Sequence, residues 1–277
     1  MTPIRARGGT GSDTGLPDYD NPPVVEVALG VQFQPLFGLR PIELADLREQ
    51  WREEFPSVND QPPLPPVMEQ QAFAPRIPQI VVGPAMQTRL WFTSEDECSL
   101  IQVQHDRLTV NWRKSTEDTQ YPRYPAVRQL FEGRFGDLRQ LVADREMGEL
   151  VITQVEATYI NAIYTDVREL GNLHRILRNW SSLSDHHLGE PEQARLNLAF
   201  LIPEMGNPPV RLYVGVETAQ RLDEQPQVLL TLMVRGRPTG ESIGSALEFM
   251  DQAHGHIVNS FTELSPTSMH SLWKRTR

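Results

Sequence analysis

The chain has 277 residues, a formal net charge of −10, 39% apolar and 22% charged residues, and one cysteine. That length suits one sizeable core or two modest ones, at roughly 100 to 200 residues per domain, and the acidic balance argues against nucleic acid, whose phosphates must be met by Lys and Arg. Cys98 alone excludes an internal disulfide or a multi-thiolate zinc site. The basic cluster Lys274, Arg275 and Arg277 is too short to grip a phosphate backbone. Apolar runs such as 228–234 fall far short of the roughly 20 residues of a membrane span, and Arg5 and Arg7 lack the apolar stretch that follows them in a signal peptide. A cytoplasmic protein with no membrane partner is expected.

Residues 1–20 are rich in Gly, Asp, Thr and Pro without apolar period, which predicts a disordered lead. Pro22 and Pro23 impose an extended conformation, and from Val24 the alternation of Val25, Val27, Leu29, Val31 and Phe33 with Glu26, Ala28, Gly30 and Gln32 predicts a half-buried strand. Pro41 opens a helix with Leu44, Leu47, Trp51 and Phe55 on one face, ended by Pro56. In 61–66, QPPLPP, the prolines fix φ and donate no amide hydrogen, excluding helix and central strand. The segment reads as a stiff connector or as a polyproline ligand for an aromatic-lined groove. Strands are then expected over 67–73, 89–93, 100–104 and 108–112, with turns at 95–97 and 105–106, as an antiparallel meander. A helix over 124–142 carries Val127, Leu130, Phe131, Phe135, Leu138 and Val142.

The same order recurs. A strand over 152–164, a helix over 167–180, a polar loop over 181–191, three strands over 195–202, 210–217 and 228–235, and a long helix over 240–261 follow. Ser265 and Pro266 read as the cap and first turn of a short terminal helix. With VEVALGVQF and VEATYINAI each opening a copy, and Glu43 and Glu169 each opening an ELxxL or like run, the chain reads as a duplication. The expected fold is α+β: two related β-α-β(3-4)-α halves, 21–148 and 149–277, with an antiparallel sheet packed by long helices in a TBP-like or helix-grip-like plan. Joining the halves edge to edge removes two exposed edges, which favours one continuous sheet over two lobes.

Four polar positions are candidate contacts for a ligand or partner. Glu26 and Glu156 occupy matching places on the less apolar faces of the two opening strands. They read as solvated carboxylates or ion pairs with Arg89 or Arg211, or as two acids flanking a cleft. Asn161 falls by alternation on the apolar face with Val155, Ala157, Tyr159 and Ile163, where its carboxamide must find partners, either in neighbouring backbone or in a ligand. Asn111 falls on the polar face of its strand and reads as solvated. Adjacent His186 and His187 do not chelate one ion, and His254 and His256 lie about 200° apart around a helix at 3.6 residues per turn. No metal and no cofactor are expected, since no HExxH, phosphate loop or GxSxG is present. Cys98, flanked by Glu95, Asp96, Glu97 and Ser99, reads as a turn residue rather than a nucleophile.

The blocks NPPVVEVALGVQF, LIQVQHDRLTVNW, EATYINAI and HGHIVNSFTELSPTSMHSLW resemble those of a sporadically distributed bacterial family of about 270 residues and unknown function. The resemblance covers about 21–273, with Tyr159, Ile160 and Asn161 its most distinctive block. A basic residue that commonly follows this block in that family is replaced here by Ala162. The resemblance implies an accessory or defence-associated role and carries no catalytic residue with it. Two functions are consistent with this sequence: a non-enzymatic binding or regulatory module for a protein partner or small ligand, and a metal-independent enzyme with Glu26, Glu156 and Asn161 in one cleft between the halves.

Overall fold

The computed structural model describes residues 15–67, 88–164, 170–178, 193–206, 208–220 and 226–277. These form an α+β fold with one antiparallel sheet of nine strands. The strands are β1 (Val24–Phe33), β2 (Ser57–Gln61), β3 (Arg89–Thr93), β4 (Ser99–Gln104), β5 (Arg107–Arg113), β6 (Ile152–Tyr164), β7 (Arg195–Ile202), β8 (Val210–Gln220) and β9 (Pro226–Gly236). Their spatial order is β2-β3-β4-β5-β1-β6-β9-β8-β7. From β1 the chain crosses to the outer edge and walks back to pair β5 with β1; from β6 it does likewise and returns β9 to β6.

Alternation gives the sheet one apolar face. A cross-strand row, Phe92, Ile101, Val110, Leu29, Ala157, Val234 and Leu212, runs through seven strands, every member buried. Against this face lie α2 (Tyr124–Asp144) over β5 and β1, and α3 (Ile243–Leu264) over β6 and β9. Ser242 caps α3, its side chain accepting from the Ser245 amide. The expected first helix is a 3₁₀ turn over Pro41–Leu44 that continues as α1 (Ala45–Trp51). Trp51 is fully buried, meets the Phe92 ring edge-on at 5.0 Å and donates its indole hydrogen to Asp137 at 2.8 Å. The Arg134 guanidinium also bonds Asp137 and lies over the rings of Trp51 and Phe55.

Several expectations are corrected. A helix was expected over 167–180; within its described part, Leu170–Arg175 is a 3₁₀ turn, and the Gly171-Asn172 pair, poor in helix propensity, accounts for the short element. Of the strand expected over 67–73, Val67 is extended coil and 68–73 lie outside the described residues, as do the loop at 181–191 and His186 and His187. The outer strand is instead β2, whose sequence SVNDQ has no apolar face to reveal it. Residues 15–20 do not belong to a disordered lead. Tyr19 is buried against Phe261, His270 and Trp273 and bridges to Arg275, with its hydroxyl 2.9 Å from Thr262 Oγ1. Ser265 ends α3 rather than capping α4 (Thr267–Leu272): its hydroxyl donates to the Phe261 carbonyl and sits 2.9 Å from His270 Nε2. His270 is buried.

Two measurements check this packing. Trp51→Phe removes the charge-assisted bond to Asp137 and part of the core volume, and should cost about 1–3 kcal/mol in urea denaturation. Burial and the neighbouring Arg275 cation hold His270 below its ordinary value of 6.5. The folded state therefore prefers neutral His270, and this contribution is complete above pH 6.5 and declines as pH falls through the depressed value. Between pH 7.5 and 5.5 the melting temperature of His270→Gln should fall less than that of the parent chain.

Candidate functional site

A concavity among the described residues lies on the helix side of the sheet, where α2 begins, α3 passes and β6 meets the bulged start of β1. It contains about 680 Å³ of space, part of it open to solvent. Its floor is Tyr159 and Asn161 of β6 with Val24 and Leu232; α3 supplies His254, Ile257, Val258 and Phe261. Leu16, Pro17, Asp18 and Tyr19 close one side. The register of β1 on β6 shifts between Val24 and Glu26, placing a bulge beside Asn161, a local device that re-aims side chains at strand ends.

A connected set of rings lines one wall. Tyr121 donates to the Tyr159 hydroxyl at 3.4 Å, and that hydroxyl lies 2.8 Å from His254 Nδ1. The His254 ring stacks flat on Tyr124 at 4.1 Å. Tyr124 in turn donates to Asp251, which Arg128 grips through two nitrogens. Burial, reinforced by the Asp251 carboxylate, lifts the Tyr124 phenol far above its ordinary range, so it remains a donor. Arg123, which precedes α2 with a φ of 74°, is tied by its guanidinium to Asp18 and to the Tyr19 carbonyl. This unusual backbone fixes the first turn of α2 at the rim.

Asn161 is buried on the apolar face, as the alternation requires, and its amide donates to the Leu230 carbonyl at 3.1 Å. Its carboxamide oxygen has no hydrogen bond among the described residues, which leaves an acceptor at the floor of a pocket lined mainly by aromatic and aliphatic side chains together with Asp18, Arg123, His254 and Arg277. Glu26, Asn111 and Glu156 lie on the opposite face of the sheet. Asn111 is not solvated. It is buried, accepts from Gln102 at 2.7 Å and donates to Glu26 at 2.6 Å, closing a chain that begins at Arg89 and Trp91. Glu26 therefore meets Asn111 rather than Arg89, and Glu156 meets Arg235 of β9 at 3.4 Å rather than Arg211. Glu26 lies opposite Ile160, four residues from Glu156, or roughly 13 Å at strand rise. The two acids thus lie on the face of the sheet opposite Asn161 and share no cleft with it.

The sequence singled out Asn161 but not the aromatic wall, because Tyr121, Tyr124, Tyr159 and His254 come from four separate segments that only the fold brings together. Among the described residues no three His, Cys, Asp or Glu side chains converge as a metal site, and no helix is long and apolar enough to cross a membrane. Cys98 sits in the β3–β4 turn with its sulfur 3.0 Å from Ser115 Oγ. No protein-family model matches the chain, and no curated protein or solved structure is significantly similar to it.

Asn161→Ala should cost about 1–3 kcal/mol in chemical denaturation, because the Leu230 carbonyl loses its side-chain donor in a buried setting. Asn161→Asp keeps the shape but turns an acceptor toward that carbonyl, and should cost more than Asn161→Ala at pH 7.

Proposed function

We propose that this protein is a non-enzymatic binding or regulatory module that takes a small, mainly apolar ligand in the pocket between α2, α3 and β6. One observation carries the reading: a concavity walled by aromatic and aliphatic side chains converges on a single buried carboxamide with an open acceptor. That combination of apolar lining and few placed polar groups is characteristic of small-molecule sites. A complementary ligand presents an apolar body of about the size of the pocket and one N–H or O–H donor to Asn161 Oδ1. Tyr19 and Tyr124, held protonated by burial, act as walls and donors rather than as bases.

The like connectivity of the two strand sets supports their origin by duplication, in a TBP-like or helix-grip-like plan, with the pocket beside the seam between them. Membership of the sporadic bacterial family that the YIN block resembles, a cytoplasmic setting and an accessory or defence-associated role complete the reading.

Protein purified from its native host under non-denaturing conditions and examined by native mass spectrometry should carry a small molecule that denaturation releases. Val258→Trp fills the pocket from a partly exposed position on α3 and should abolish that adduct while leaving the melting temperature within a few degrees of the parent. An adduct retained in Val258→Trp, or none with either protein, overturns the proposal.

A further inference from the structure

The face of the sheet that no described helix covers carries a second site at the end of strands β3, β4, β5 and β1, independent of the pocket. Residues 62–67, PPLPPV, leave the outer strand β2 and cross this face at right angles to the strands. Three polar side chains hold them. The Gln104 carboxamide accepts from the Leu64 amide at 2.8 Å and donates to the Leu64 carbonyl at 2.9 Å. Gln32 does the same for Val67, at 3.0 and 3.2 Å. Between them Arg107 donates to the Pro65 carbonyl at 3.1 Å and to Gln32 Oε1 at 2.6 Å. Gln104, Arg107 and Gln32 are direct cross-strand neighbours on β4, β5 and β1, and the row continues to Gln154 on β6.

The match between segment and surface is metric. Four prolines fix φ, and proline pushes each residue before it into the extended region, which makes the segment a polyproline II helix of three residues per turn and about 3.1 Å rise. From Gln61 on β2 to Val67 over β1 is four strand spacings, about 19 Å at 4.8 Å each, and six residues at that rise also cover about 19 Å. Burial follows the same period: Gln61, Leu64 and Val67 are half-buried, and the four prolines between them are exposed. The sheet thus reads the backbone at Leu64 and Val67, three residues apart, and at the Pro65 carbonyl between them, while the exposed proline rings pre-set the conformation, which lowers the ordering cost.

The attachment is also weak by construction. Two carboxamides and the Arg107 guanidinium, rather than a packed apolar interface, hold the segment, and such elements lie at the low end of local stability. Gln154, next in the row, is buried and has no hydrogen bond to any described residue, so the row extends one carboxamide past Val67. From this geometry we infer that the face is a recognition site for a proline-rich segment in the polyproline II conformation. Residues 61–67 are its resident occupant, and a proline-rich segment of a partner protein displaces them.

A tethered occupant competes at an effective concentration on the order of millimolar, so the test weakens it first. In a full-length variant with Pro62, Pro63, Pro65 and Pro66 all replaced by Ser, a fluorescein-labelled QPPLPPV peptide should bind at least tenfold more tightly than to the unaltered chain, by fluorescence anisotropy. Adding Gln32→Ala or Gln104→Ala should weaken that binding about tenfold each, equivalent to about 1.4 kcal/mol, and a peptide with serine for proline should bind at least tenfold more weakly. No saturable binding by a folded variant, or binding indifferent to both glutamines, overturns the inference. Should the variant not fold, hydrogen exchange on the unaltered chain decides: millimolar QPPLPPV should accelerate exchange at the Leu64 and Val67 amides, and unchanged exchange there overturns it.

Discussion

The antiparallel pairing of β1 with β6 is the constraint on which the remaining architecture rests. Each opening strand lies in the middle of the sheet and is flanked by the last strand of its own set, β5 or β9. If β1 and β6 were parted, both would become long apolar edges, and Val27, Leu29 and Val31 would lose the cross-strand contacts of Tyr159, Ala157 and Val155. Because side chains alternate with period two, this one register also assigns every later residue to a face. It sends Tyr159 and Asn161 toward the helices and Glu26, Glu156 and Gln32 away from them. The pocket and the proline-bearing face are thus two consequences of one pairing, on opposite sides of it.

The two faces solve the burial of polar groups differently. On the helix side the polar groups are few and placed at the edge of the apolar core, where the Tyr159 hydroxyl meets Tyr121 and His254 and the Asn161 amide meets the Leu230 carbonyl. On the far side they are linked into runs. Arg89 and Trp91 meet Gln102, which meets Asn111, which meets Glu26, across four adjacent strands. A connected run of this kind rigidifies the strands it joins, since each buried member would be costly alone. Glu26 and Asn111 have a structural explanation in this run.

What the sequence disclosed and what it withheld divide along physical lines. Strands with alternating apolar residues, such as β1, β5 and β6, and the long amphipathic helices were readable because period and burial coincide in them. The outer strand β2 was not, since SVNDQ buries neither face and carries no periodic signal. Tyr19 was hidden in a polar lead because one aromatic among Gly, Asp and Pro leaves no pattern, although its ring meets three others. Asn161 could be placed on the apolar face by counting, yet the pocket beside it could not. Its walls depend on how α2 and α3 are brought together across the sheet. The segment 61–66 was readable as extended from its prolines, while the surface it crosses required the register of four other strands.

The outer strands of the sheet are treated unequally, and this bears on where the molecule yields first. β2 is five residues long, polar, and continued by the proline segment that folds back over the sheet; shortness, a charge and prolines are the usual means of blunting an edge. β7 is eight residues long and, among the described strands, pairs only with β8, with Leu198 and Phe200 on the helix side and Leu201 on the other exposed by 40%, 46% and 59%. The buried row that begins under α1 at Phe92 thus ends at Phe200, where burial is incomplete. Since resistance to local opening follows buried apolar contact, stability is concentrated at the seam and the first strand set and declines toward β7. The pocket lies next to the seam and is therefore built on the firmest part of the sheet, as a site that must hold one carboxamide in a fixed direction requires.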